Sequence, residues 1–185
     1  DTGGEGQIWV KSDTPSSLYY TDDAGTDFRM GGITLGTEVT PTSVTVVNYT
    51  GIPSGVRRIM IGIKGISSDG SSNILVQIGD TDGLDTSGYV STAWSTNNTN
   101  VQSTAGFLFT KSNGASVIDD GIMILQCIND TGLTWVHSSI ASCAATEMST
   151  ATGHRTLGKE LDRVTITYVN GSDVFDAGSV NISYS

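Results

Sequence analysis

Residues 88–102, GYVSTAWSTNNTNVQ, combine two aromatic rings with a run of uncharged amide side chains. Aromatic rings pack against the C–H faces of sugars, and amide groups exchange hydrogen bonds with sugar hydroxyls. The stretch therefore predicts a glycan-binding loop. The alternative is that its aromatic residues belong to a hydrophobic core and its asparagines form a turn. The candidate glycan-binding residues are Tyr89, Trp94, Asn97, Asn98, Asn100 and Gln102.

A group of carboxylates directly precedes this stretch. The segment GDTDGLDTSG, residues 79–88, places Asp80, Asp82 and Asp85 around a glycine. Carboxylate oxygens are the ligands that Ca²⁺ prefers, although an EF-hand loop needs more ligands and a distal glutamate. The three aspartates are therefore candidate metal ligands, and calcium is the one cofactor that the sequence suggests. The alternative is turn chemistry, in which aspartates accept hydrogen bonds from nearby backbone amides.

The residue types that catalysis requires are sparse. The only histidines are His137 and His154, and Ser138 follows His137 on a predicted strand. Neighbouring strand residues point to opposite faces of a sheet, so this serine and histidine cannot act together as nucleophile and base. The chain has no Gly-x-Ser-x-Gly, His-Glu-x-x-His or Cys-x-x-Cys motif. We therefore predict that the protein is not an enzyme and assign no catalytic residue.

The composition limits the classes of partner. The chain has 185 residues, with 9 Lys and Arg against 19 Asp and Glu, and its formal net charge is -10. A negative field of this size repels nucleic acid and anionic membrane surfaces, so we expect neither as a partner. No apolar run reaches the roughly 20 residues of a membrane span, so we expect no membrane insertion. The chain begins at Asp1 without a methionine, so we expect a processed chain or part of a longer one.

The candidate residues lie among strand-like segments. Apolar and polar residues alternate with period two from Ser43 onward, and RRIMIGIKGIS places Ile59, Ile61 and Ile63 on one face. The nearest approach to helical periodicity is TEMSTATGHRTLGKELDR, but its glycines and β-branched residues disfavour a helix. About nine strands separated by Gly, Asn, Asp and Ser turns predict an all-β fold. We expect a jelly-roll-like antiparallel β-sandwich at residues 43–185.

The first 42 residues have a different organisation. Three short segments, QIWVK, SLYYT and DFRM, alternate with the turn-forming SDTPS and DDAGTD. A ribbon of three short strands is marginally stable by itself in water, so its aromatic side chains need a partner surface. We predict that residues 1–42 are a β ribbon plus connector that serves as an oligomerisation element; the alternative is that the ribbon folds back onto its own sandwich. The candidate subunit-interface residues are Trp9, Tyr19, Tyr20 and Phe28.

The two cysteines flank a predicted hairpin, CINDTGLTWVHSSIASC, with its turn near Asp130 to Gly132. This turn places Cys127 opposite Thr134 or Trp135, and Cys143 then lies several residues farther along the strand. The two thiols would not face each other, so we expect free, buried cysteines rather than a disulfide.

The segment GQIWVKSDTPSSLYYTDDAGTDFRMGG resembles a short module of bacteriophage tail-fibre and related virion proteins. The shared pattern is a Gly-Gln-aromatic-Val-Lys start, a Thr-Pro turn, an aromatic pair and Asp-Asp-Ala-Gly-Thr-Asp. The segments IPSGVRRIMIGIKGISSDGSSNILVQIGD and ELDRVTITYVNGSDVFDAGSVNISYS are similar to a fibre domain of phages and prophages. The resemblance implies a homotrimeric fibre or knob on the tail or capsid surface of a virion. It implies no catalytic residues.

The residues and the resemblance together predict a homotrimeric tail-fibre domain that binds a glycan on the host cell surface. Its expected partners are other virion proteins and a bacterial surface polysaccharide or lipopolysaccharide. One alternative is a structural capsid decoration or head-fibre protein without a receptor site. A second alternative is a tail protein that degrades polysaccharide, which would need two carboxylates across a cleft.

Overall fold

The structure is a computed structural model that describes residues 6–12, 17–97, 99–111, 114–115, 117–143 and 146–185. The chain divides into two compact units, one ending at Thr34 and the other running from Leu35 to Tyr184. The sequence placed this boundary later, after Thr42. The residues between the two positions contact the second unit, since the Gly36 amide donates to the Ile182 carbonyl at 2.7 Å.

The first unit is a three-stranded antiparallel sheet of order β1-β2-β3. Its strands are β1 (Gln7–Lys11), β2 (Ser17–Thr21) and β3 (Asp27–Met30). A turn joins β2 to β3 because the Asp22 carboxylate accepts hydrogen bonds from the amides of Ala24 and Thr26, at 3.0 and 2.7 Å. Gly25 has a φ of 80° in this turn, a backbone conformation that favours glycine.

The second unit is an antiparallel β-sandwich, which confirms the predicted all-β class. One sheet has eight strands in the order β10-β9-β14-β13-β12-β6-β16-β4, and the other has five, in the order β11-β7-β15-β5 with β8 paired to β7. The jelly-roll-like topology stays a prediction. The strands are β4 (Thr34–Leu35), β5 (Val46–Thr50), β6 (Arg58–Ser68), β7 (Ile74–Asp80), β8 (Gly83–Leu84), β9 (Val90–Ser95), β10 (Thr99–Ser103), β11 (Phe107–Leu108), β12 (Asp119–Cys127), β13 (Thr134–Cys143), β14 (Glu147–Thr156), β15 (Arg163–Tyr168) and β16 (Phe175–Tyr184).

The hydrophobic core lies between the two sheets. Ile59 and Ile61 on β6 face Val164 and Ile166 on β15, and all four side chains are fully buried in one cluster. A second cluster joins Leu75, Ala93, Leu108 and Ala151. Burial of apolar area on this scale is the main contribution to the stability of the sandwich.

One interior segment is attached to the eight-stranded sheet through side chains. Residues 107–111 are buried throughout, and their hydrogen bonds to this sheet involve serine hydroxyls. Ser91 accepts from the Leu108 amide at 2.9 Å, Ser139 donates to the Phe109 carbonyl at 2.8 Å, and Ser149 accepts from the Lys111 amide at 2.8 Å. These three serines, on β9, β13 and β14, are themselves buried. The hydroxyls therefore satisfy backbone groups that burial would otherwise leave unpaired.

The two cysteines are free and buried. Cys127 lies opposite Trp135, one of the two partners that the hairpin prediction gave, and Cys143 lies opposite Asp119 at the other end of the strand pair. Eight strand positions separate these levels, about 26 Å at roughly 3.3 Å per residue, which is too far for a disulfide. Burial, followed by the charge of Asp119, raises the pKa of the Cys143 thiol.

In the part of the chain that the structure describes, no helix has the length and apolar character needed to cross a membrane.

Candidate interaction surfaces

One face of the three-stranded sheet is apolar and exposed. Ile8 pairs with Tyr20, and Val10 with Leu18, which in turn pairs with Met30. Side chains at paired positions lie on the same face of a sheet. The exposed fractions of these side chains are 67% for Ile8, 62% for Val10, 40% for Leu18, 38% for Tyr20 and 47% for Met30. We call these five residues the ribbon's apolar face. A contiguous apolar surface of this kind typically marks a site of protein association.

On the opposite face of the ribbon, described side chains contact one another. The rings of Trp9 and Tyr19 stack with their centroids 4.9 Å apart. The Trp9 indole donates to the Thr21 hydroxyl at 2.8 Å, and that hydroxyl donates to the Asp27 carboxylate at 2.6 Å. The Lys11 ammonium lies 5.9 Å from the centre of the Tyr19 ring. These contacts link side chains of all three strands on this face.

The four subunit-interface candidates are therefore divided between two faces. Trp9 and Tyr19 lie on the face opposite the apolar one, whereas Tyr20 lies on the apolar face. Phe28 pairs with Tyr20 in the backbone register, and its side chain lies outside those that the structure describes. The sequence identified the aromatic residues but missed the aliphatic side chains that make up most of the apolar face. Strand alternation in QIWVK and SLYYT was the signal that could have separated them.

Three of the glycan-binding candidates lie on the β9–β10 hairpin, with their positions on one face. Trp94 is 41% exposed and lies directly opposite Asn100. Gln102 lies opposite Thr92, two residues along the same face. Asn100 and Gln102 are both exposed. An indole ring beside two exposed amide side chains has the composition of a shallow sugar platform.

Tyr89 does not belong to this platform, and its prediction as a glycan-binding residue is wrong. Its side chain is 1% exposed and contacts Phe107 edge to face, with centroids 4.9 Å apart. The Tyr89 hydroxyl accepts from the Ile78 amide at 2.8 Å and lies 3.0 Å from the carbonyl oxygens of Ile78 and Asp85. Burial raises the pKa of this hydroxyl. Tyr89 therefore anchors the chain before β9 to the opposite sheet.

The remaining two amide candidates have other positions. Asn97 accepts a hydrogen bond from the Ser95 hydroxyl, and its amide nitrogen lies 3.3 Å from Glu147. These contacts fit the turn role that the sequence left open for the asparagine run. Asn98 lies outside the described residues.

The three candidate metal ligands do not converge. Asp80 is 5% exposed and accepts from the amides of Asp82 and Lys159, at 2.8 and 2.9 Å. Asp82 forms an ion pair with the Lys159 ammonium, and Asp85 forms one with Arg155, whose Nε lies 2.8 Å from the carboxylate. Among the described residues, no group of three or more His, Cys, Asp or Glu could hold a metal ion. The turn interpretation is therefore correct for Asp80, and ion pairing explains Asp82 and Asp85.

The structure contains a buried serine–histidine pair that the sequence did not predict. His137 Nε2 lies 3.2 Å from the Ser91 hydroxyl, and its ring packs on Phe107 with centroids 4.5 Å apart. His137 is 3% exposed and Ser91 is 2% exposed. The Ser91 hydroxyl also accepts from the Leu108 amide at 2.9 Å. With no access from solvent, this pair has the geometry of core packing rather than of a nucleophile and its base.

The outer face of the eight-stranded sheet is a further surface that the sequence missed. Ile122 on β12 lies directly opposite Ile140 on β13, and these side chains are 44% and 49% exposed. The row continues through Thr150 on β14 to Trp94 on β9. The available signal was IMIL at residues 122–125, since a continuous apolar run indicates a strand covered on both faces.

No protein-family model, curated protein or solved structure matches this chain.

Proposed function

We propose that this chain is a fibre protein of a bacteriophage virion that assembles as a homotrimer and attaches to a glycan on the host cell surface. The observation that carries the proposal is the ribbon's apolar face, five exposed apolar side chains on a three-stranded sheet. A sheet this small gains stability when that face is covered, and copies arranged around an axis cover each other through one repeated contact. The resemblance to phage fibre modules supports the virion as the setting.

The oligomer is tested by placing the same charge on either face of β1. Val10 lies on the apolar face, whereas Gln7 is exposed and lies on the opposite face of the same strand. Sedimentation velocity of the full chain should give three times its 19.3 kDa mass. Val10→Lys should dissociate this species, because an ammonium cannot be buried unpaired, while Gln7→Lys should leave it intact. A monomeric parent chain, or equal behaviour of the two variants, would refute the ribbon's role.

The proposed receptor contact is the platform of Trp94, Asn100 and Gln102. Its ring supplies an apolar wall and its amides supply hydrogen bonds, which is the division of labour that sugar sites use. The low charge of this surface favours a neutral glycan over an anionic one, since the chain as a whole repels anions at a net charge of -10.

Adhesion is tested with recombinant oligomer on cells of the bacterial host. The oligomer should bind these cells and block adsorption of phage, and Trp94→Ala should abolish both effects. Val90→Ala is the matched control, because Val90 is exposed on the same face of the same strand, four residues before Trp94. If oligomeric protein neither binds cells nor blocks adsorption, the structural decoration alternative is favoured. In that case loss of the protein should reduce particle stability without changing adsorption.

A further inference from the structure

The centre of the outer face of the eight-stranded sheet is unusually apolar for an exposed surface. Ile122 and Ile140 form a directly opposed pair there, 44% and 49% exposed. Met148, on the next strand, is 47% exposed. We call these three residues the central patch. Single exposed aliphatic residues are common, but several together on a flat sheet indicate a covered surface.

The part of this face that β9, β10, β12, β13 and β14 form is also almost free of charge. Among the outward-facing side chains that the structure describes on β9, β10, β12, β13 and β14, Asp120 is the only Asp, Glu, Lys or Arg. The chain as a whole carries 28 such residues in 185, from 9 basic and 19 acidic ones. Serine and threonine occupy many of the other positions on these five strands, whereas Arg58 and Lys64 face outward on the adjacent β6.

We propose that the central patch packs against a neighbouring copy of this chain inside the homo-oligomer, an inference that rests on the proposed function. Copies with a net charge of -10 repel one another wherever their acidic surfaces approach. A surface with few acidic side chains reduces that cost and adds the burial of apolar area. Ribbons that associate would also hold the sandwiches at high effective concentration, so a weak contact at the patch would be populated.

Other occupants fit the patch less well. Nucleic acid needs dense positive charge, and among the described side chains on this outer face only Arg58 and Lys64, both on β6, are lysine or arginine. A glycan needs several hydrogen-bonding groups beside its apolar wall, and the three residues of the patch are aliphatic or thioether side chains. Trp94 lies two strands away from Ile140, about 10 Å at the usual strand spacing, and Asn100 and Gln102 lie one strand farther. The receptor platform and the subunit contact can therefore occupy different parts of one face.

The test measures how fast a thiol reagent reaches the patch in the full-length chain. Both native cysteines are buried, at 7% and 1% exposure, so they contribute little background. Ile140→Cys reports on the patch. Ser172→Cys is the matched control, since Ser172 is exposed in the turn between β15 and β16. Each is measured alone and together with the dissociating change Val10→Lys.

In the oligomer, the Ile140→Cys thiol should react at least tenfold more slowly than the Ser172→Cys thiol. Adding Val10→Lys should remove that difference. An oligomer in which both thiols react at the same rate overturns this inference and leaves the proposed function intact. Slow reaction that persists after dissociation also overturns it, since the protection would then come from the single chain. A parent chain that is monomeric refutes the proposed function and this inference together.

Discussion

Acid should destabilise this protein through His137, which the fold keeps neutral. The ring is 3% exposed, packed on Phe107 and in contact with the Ser91 hydroxyl. No described side chain supplies a hydrogen-bond partner for its Nδ1 atom. Burial lowers the pKa of His137 from 6.5 to about 4, against an opposing contribution from the backbone at Thr152. A proton therefore binds the unfolded chain more readily than the folded one.

The size and the sign of the effect follow from linkage. Because the folded-state pKa is depressed, the contribution of neutral His137 is fully present above pH 6.5 and is lost as the pH falls towards 4. At about 1.4 kcal/mol for each pKa unit, the loss over this range is about 3 kcal/mol. That is a large part of the typical stability of a single domain, about 5–15 kcal/mol. Below pH 4 both states bind the proton, so the loss stops growing.

The assay compares the parent chain with His137→Asn, which cannot titrate. Urea unfolding at one fixed protomer concentration gives the free energy of unfolding for each chain at pH 7.5 and pH 4.5. The variant loses packing on Phe107 at both pH values, and the carboxylates titrate in both chains, so these effects cancel in the double difference. The parent should lose about 2–3 kcal/mol more than the variant between the two pH values. Equal losses in the two chains would show that His137 is not held neutral by burial.

Two further substitutions test the interior. Tyr89→Phe should lower the free energy of unfolding, measured by urea titration, by about 1–3 kcal/mol, because the Ile78 amide loses the hydroxyl to which it donates. An unchanged free energy would show that this hydrogen bond makes no net contribution to stability. Gly153→Ala should lower the free energy of unfolding by about 1–3 kcal/mol, since a Cβ there would lie 2.0 Å from the Val90 carbonyl oxygen. The control is Gly62→Ala on β6, where a Cβ meets no atom within 4 Å and the melting temperature should change little. Similar effects of the two substitutions would contradict the close approach of β14 and β9.

Strands with regular alternation could be predicted from the sequence. The segments QIWVK, SLYYT and DFRM match β1, β2 and β3 residue for residue, and RRIMIGIKGIS lies one residue from β6. The prediction of the cysteine hairpin was also correct, and of the two partners predicted for Cys127, Thr134 and Trp135, the structure has Trp135. In each case an apolar face alternates with a polar one, or a single turn sets the register, so local information was sufficient.

Strands with small or wholly polar faces were missed. β14 lies in the segment that looked nearest to a helix, because its inward positions are Ser149, Ala151 and Gly153, which carry no strong apolar signal. β10 lies in the polar run interpreted as a loop. Both strands are specified by tertiary pairing with β9 rather than by their own composition.

The candidate sites were predictable only as residue types. Trp94, Asn100 and Gln102 share a face because β10 pairs with β9, and the sequence did not reveal that pairing. Tyr89 lies one position before β9, yet its hydroxyl belongs to the opposite sheet. The aspartates have the composition of a metal site, but two of them form ion pairs with residues distant in sequence, Asp85 with Arg155 and Asp82 with Lys159. Long-range partners of this kind cannot be inferred from spacing.

The interior segment at residues 107–111 favours one register of the strands that bind it. Ser91, Ser139 and Ser149 come from three different strands, and each reaches the segment with one hydroxyl. A slip of one residue in any of these strands would turn its serine to the outer face and leave a buried backbone group unpaired. Misaligned pairings of β9, β13 and β14 are thus penalised one strand at a time, by a segment that lies outside the ladder they form. Replacing these serines with alanine should therefore weaken the discrimination between correct and slipped sheets as well as the stability of the correct one.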